Sequence, residues 1–187
     1  PIRDLQIVED TGHLVVDQTT LRNLEITSTL SGEYEGSLIS SMNYCRTAMG
    51  RRQLKTWLLR PLYQIEAIEL RHNAVKTLKS SSKRLDMLRQ NLTGLRDLER
   101  LATQLAYNRS NARDLSATAL ALERMPAIMQ ICAETDDLLL SHLSEDLTCL
   151  SDMAEIIFRT LNDELPLSLR DGGLIRKGVN SELDELR

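Results

Sequence analysis

Leucine outnumbers the β-branched apolar residues of this chain, 35 against 11 isoleucines and 5 valines. It keeps most of its rotamer freedom in a helix, whereas branched side chains favour the pleated surface of a strand. A core built mainly from leucine is therefore a helical core. The periodicity agrees: Leu95, Leu98, Leu101, Ala102 and Leu105 recur at helical spacing, as do Ile65, Ile68, His72, Val75 and Leu78. No stretch of apolar–polar alternation is long enough to compete. The sequence predicts an all-α fold, an irregular multi-helix bundle with little or no β-structure.

A chain of 187 residues buries roughly 70% of its unfolded surface and needs no metal or disulfide staple. Cys45, Cys132 and Cys149 are widely separated and form no CxxC pair. That argues against a disulfide framework and a structural zinc, and for a reducing, cytoplasmic compartment. Apolar runs such as Leu138-Leu139-Leu140 fall far short of the ~20 residues a membrane helix needs. The opening Pro1-Ile2-Arg3-Asp4-Leu5-Gln6 has no signal-peptide character and no initiator Met, so the chain reads as a piece of something longer.

Punctuation sets the element boundaries. Asp17 is placed to cap a short helix through Thr20 and Leu21, and 27–36 reads as a polar loop. Ser37 caps a helix to about Cys45, and Thr47 precedes a run over 48–60 that Pro61 stops, because a residue before proline is driven out of the helical region. Helices follow over 64–79, from the Ser80-Ser81-Ser82 break to about Gln90, and over 92–107. Asn111 caps the next helix, which Pro126 either kinks or ends near Arg124. One shorter and one longer helix are expected within 136–164. Asp171-Gly172-Gly173 is a turn, 174–179 is briefly extended, and Asn180 caps a helix starting at Ser181. The divisions are a lead-in over 1–36, a helical body over 37–169, and a turn with the start of a last helix over 170–187.

Reactive chemistry fails at each test. Gly173 and Gly178 have the spacing of a GxxxxG phosphate loop, but Val179 and Asn180 stand where its lysine and Ser or Thr belong. His13, His72 and His142 show no metal-ligand spacing. Cys45 and His72 are conceivable as nucleophile and base, yet nothing around either activates them. No catalytic, cofactor-binding or metal-ligating residue is assigned, and the chain is read as not an enzyme.

Charge is uneven. Positions 43–60 hold five basic residues (Arg46, Arg51, Arg52, Lys55, Arg60) and no acidic one, whereas 134–165 hold nine acidic residues and only Arg159. Arg51, Arg52 and Lys55 share one helix face, which makes them candidates for contact with DNA phosphates. The competing reading is a solvated or domain-contacting face, with Leu54, Trp57 and Leu58 turned toward a core shared with Leu98 and Leu101. A net charge of -4 is not that of a free-standing nucleic-acid module.

Leu14-Val15-Val16-Asp17-Gln18-Thr19-Thr20-Leu21-Arg22-Asn23-Leu24-Glu25-Ile26 resembles the opening of the core, or lever, domain of the MutS family of DNA mismatch-repair ATPases. The resemblance continues in order through Gly36-Ser37-Leu38, Thr47-Ala48-Met49-Gly50-Arg51-Arg52, Trp57-Leu58-Leu59-Arg60-Pro61-Leu62 and Arg71-His72-Asn73-Ala74-Val75. Asp97-Leu98-Glu99-Arg100-Leu101, Arg113-Asp114-Leu115, Asp171-Gly172-Gly173-Leu174-Ile175 and Leu183-Asp184-Glu185-Leu186-Arg187 extend it over nearly the whole chain.

The resemblance implies that mismatch-reading and connector domains precede this region and that a DNA-gripping clamp and a P-loop ATPase follow it. The segment starting near Asn180 would then be the lever. ATP and magnesium would belong to the parent, as would mismatched double-stranded DNA, dimerisation and a MutL-like partner, in the cytoplasm or on the nucleoid. Three functions follow: a non-catalytic coupling segment, a helical module gripping the DNA backbone directly, or a protein–protein adaptor whose acidic half takes a basic partner.

Overall fold

The computed structural model describes residues 12–166 and 171–187, and every regular element among them is a helix. Two short helices, α1 (Gln18–Asn23) and α2 (Leu38–Met42), come first, followed by α3 (Ala48–Leu59). The body comprises α4 (Ile65–Lys79), α5 (Ser82–Leu92), α6 (Leu98–Ala106), α7 (Ala112–Ala133), α8 (Leu138–Asp146) and α9 (Ser151–Thr160). The short α10 (Ser181–Glu185) closes the chain.

Most starts follow from side-chain caps. Asp17, Ser37, Thr47, Ser81, Asp97, Asp137 and Asn180 each accept from a backbone N–H of the first turn they precede. Asn111 and Asp114 form a reciprocal capping box on α7. So secured, α7 runs on through Pro126 to Ala133, although an interior proline costs about 3 kcal/mol. Packing offsets that cost, since α5, α6, α8 and α9 all lie against α7, and α4 lies on α5 and α8.

Three clusters surround α7. Cys132 meets Ala74 of α4 and Leu140 of α8. Ala121 and Ile128 meet Leu95, with Leu88, Leu92 and Leu98 around them. Ala119 and Leu122 meet Ala154 of α9, flanked by Ile157 and Phe158. Ala119 is fully buried, and small residues on both sides of this crossing bring the two backbones close.

The structure departs from the sequence expectations in four places. The helix expected over 92–107 begins only at Leu98: Gly94 takes φ +79°, and the Arg124 guanidinium binds the Thr93 and Asn91 carbonyls at 2.6 and 3.4 Å, ending α5 and turning the chain. The helix after Ser37 stops at Met42, and Asn43 Nδ2 instead donates to Tyr34 Oη at 3.0 Å. On α4 Ala74 is the buried residue and Ala67, Ile68, Arg71 and Leu78 are half-buried, so Ile68 and Leu78 of the expected stripe face the body while Ile65, His72 and Val75 are exposed. Trp57, expected in the core, is 41% exposed.

Among the described residues extended pairing is confined to two isolated bridges, His13 with Leu62 and Leu161 with Ile175. The second falls in the segment 174–179 expected to be extended, of which 177–179 instead turn toward α10. The 169/170 boundary lies outside the described residues. Among the described residues no helix is long and apolar enough to cross a membrane.

Ala119→Leu forces extra methylenes into the α7–α9 crossing and is expected to cost about 1–3 kcal/mol. Urea denaturation should show a lower midpoint at unchanged slope; an unchanged midpoint would mean that the crossing is not close-packed.

Candidate functional site

Thr47 starts α3 by accepting from Gly50 N–H at 3.0 Å, and Pro61 lies just beyond its end. The helix places Arg51, Arg52 and Lys55 on an exposed face, as the sequence predicts. They line an open cleft of about 550 Å³, whose other walls are Tyr34, Ile39, Asn43 and Ala48.

The three cations are not equivalent. Arg52 reaches across to α6, where Nη2 donates to Asp97 Oδ1 at 2.9 Å and the guanidinium also pairs with Asp97 Oδ2 and Glu99. Asp97 is at the same time the N-cap of α6, accepting from Arg100 N–H at 3.3 Å. Hydrogen bonding from Arg52 holds the Asp97 carboxyl down at about 2, with the Arg100 N–H contributing against partial desolvation. The same contacts push the Arg52 guanidinium above its usual range. Neither the Arg51 nor the Lys55 side chain has such a partner among the described residues.

A second contact joins α3 to the body. The Arg71 guanidinium of α4 lies 4.0 Å from the centre of the Trp57 ring, a cation–π geometry. Trp57 therefore covers a charged group at the rim of the body, which is why it stays partly in water. Leu54 and Leu58 are half-buried, and Leu101 is the fully buried member of the expected core set. The fastening of α3 to α4 and α6 is thus largely ionic and aromatic.

The remaining candidates stay apart. Gly173 and Gly178 both take positive φ, Gly178 in a turn, and Asn180 is occupied in capping α10. No group of three potential metal ligands occurs among the described residues. Cys132 is buried, which raises its thiol pKa, Cys45 is half-buried, and Cys149 is exposed. No hydrogen bond joins Cys45 to His72 among the described residues. Sequence reasoning missed Asp97, Glu99, Arg71 and Tyr34 as members of the site. Asp97 carried one usable signal, its position before an apolar helical run, but a cap does not announce a partner 45 positions away.

These features define a class: a helical scaffold whose chemistry lies in charged joints and faces. The chain belongs to the MutS domain III family, whose sequence model matches residues 19–186. It is 38% identical over 95% of its length to the DNA mismatch repair protein MutS of Halothermothrix orenii, covering 20% of that protein. To the MutS of Methanosarcina barkeri it is 39% identical over its full length, covering 21%. To that of Nostoc punctiforme it is 38% identical over 99% of its length, covering 21%. The chain thus spans about a fifth of these curated relatives.

The depressed Asp97 pKa carries a definite sign. A carboxylate with a lowered folded-state pKa stabilises the fold above the unfolded value, roughly 3.9, and that contribution is lost as pH falls toward about 2. Asp97→Asn, which keeps a capping oxygen, should flatten the acid limb of stability between about pH 4 and 2. Carboxyl NMR titration of the parent chain checks the cause: an Asp97 midpoint near 4 would refute the Arg52 pairing.

Proposed function

We propose that this chain is a non-catalytic core and lever segment of a MutS-type mismatch-recognition ATPase, coupling the DNA-binding parts of the parent to its ATPase. The observation that carries this reading is the surface. The chain exposes 14074 Å², against roughly 9,000 Å² for a compact monomer of its mass. Allowing ~2,500 Å² for the undescribed residues at the extended-chain value leaves a large excess. Val15, Tyr44, Ile156 and Leu186 stand among the large apolar side chains in water. Such a surface is made to be covered by other parts of a larger protein.

The family membership and the relatives' names support mismatch repair as the setting. In this reading the body over 37–169 anchors the lever that begins near Asn180. A stiff helix rising ~1.5 Å per residue carries displacement along its axis, so a rooted lever transmits DNA engagement to a distant nucleotide site. Mismatched DNA, ATP with magnesium, a second copy of the parent and a MutL-like partner are then engaged by the whole protein, in the cytoplasm or on the nucleoid.

The test is made in the full-length parent. Glu185→Pro breaks α10 beyond its first turn. DNA binding and basal ATP hydrolysis should survive separately, while stimulation of hydrolysis by mismatched DNA falls about tenfold, within the range of typical coupling energies. Undiminished stimulation would remove the lever role.

A further inference from the structure

We infer that the α3 cleft is a binding site for a nucleic-acid phosphodiester backbone, in which Asp97 and Glu99 occupy Arg52 as phosphate oxygens would. The site goes beyond the coupling role and does not depend on it.

The cleft presents donors. Arg51 and Lys55 stand one turn apart, ~6 Å along the helix axis, on an exposed face with no acidic residue in positions 36–65. Tyr34 Oη accepts from Asn43 Nδ2, which leaves the phenolic proton free for a ligand acceptor. Asn43 Oδ1, the side-chain amide oxygen, is buried, so it adds no acceptor to the exposed wall. A guanidinium, an ammonium and a phenol O–H together select an oxyanion-rich ligand lacking donors of its own.

The third cation shows what this wall recognises. Arg52 lines the same cleft and already holds two carboxylates of the same chain, one of them bidentately. A phosphodiester fits this geometry as a carboxylate does, because a planar guanidinium engages both in pairs. The internal carboxylates therefore withhold one of three cations and limit the site to two phosphate contacts. A protein carboxylate is the rival ligand, and competition with an acidic polymer separates the two.

The consequence is unusual for a pair of acidic residues: removing them should strengthen DNA binding. The experiment follows anisotropy of a labelled DNA duplex of arbitrary sequence, titrated with the full chain across a series of salt concentrations. Two phosphate contacts predict a slope of log K against log salt of about -2. Asp97→Asn with Glu99→Gln frees Arg52, so binding should tighten and the slope should steepen to about -3. Arg51→Gln with Lys55→Gln, which keeps both side chains long and solvated, should abolish binding. Circular dichroism and the fluorescence of Trp57, the single tryptophan, verify that each variant keeps its helices and the α3–α4 contact.

Binding that survives the Arg51 and Lys55 changes would overturn the site. So would a carboxylate-free variant that folds but binds no tighter. Competition by polyglutamate equal to that by DNA at matched charge would assign the cleft to a protein partner instead.

Discussion

The close approach of α7 to α9 at Ala119 and Ala154 is the constraint on which the rest of the body depends. Fully buried small side chains leave no room for repacking, so the crossing fixes the spacing between the two backbones. With α7 held there, its other faces are committed to α8 and α4 through Cys132, and to α5 through Ala121 and Ile128. Arg124 then ties α5 to α7 a second time by gathering the last carbonyls of α5. That gathering decides where α6 can begin, and with it where Asp97 stands.

The leading helices are attached by different physics. Apolar packing binds the body, whereas α3 meets it through Arg52 on α6 and Trp57 under Arg71. Exposed ionic contacts are individually weak and sensitive to salt. A joint made from them holds an arm in one orientation and yields to a competing anion more readily than an apolar interface would.

Much of this was legible in the sequence because local signals and tertiary packing agree. Asp17, Thr47, Asn111 and Asn180 announce their helices by chemistry that acts within one turn, and α1, α3, α7 and α10 start where those residues stand. The basic face of α3 was legible for the same reason, since helical spacing alone puts Arg51, Arg52 and Lys55 together. Their inequality was not. Only the return of the chain to α6 brings carboxylates to Arg52 and leaves Arg51 and Lys55 to the solvent.

Composition and capping thus determined the class of fold, the number and order of most helices, and the ordered motifs that mark the family, because these depend on interactions a few residues long. Tertiary structure decided which helix faces are buried, where the chain turns after α5, and which charges are neutralised. Periodicity identified an apolar stripe on α4 through Ile65, Ile68, His72, Val75 and Leu78, yet the body buries Ala74, half-buries Ile68 and Leu78, and leaves Ile65, His72 and Val75 in water. A helix with two apolar faces offers both to its neighbours, and the choice belongs to whichever neighbour packs closer.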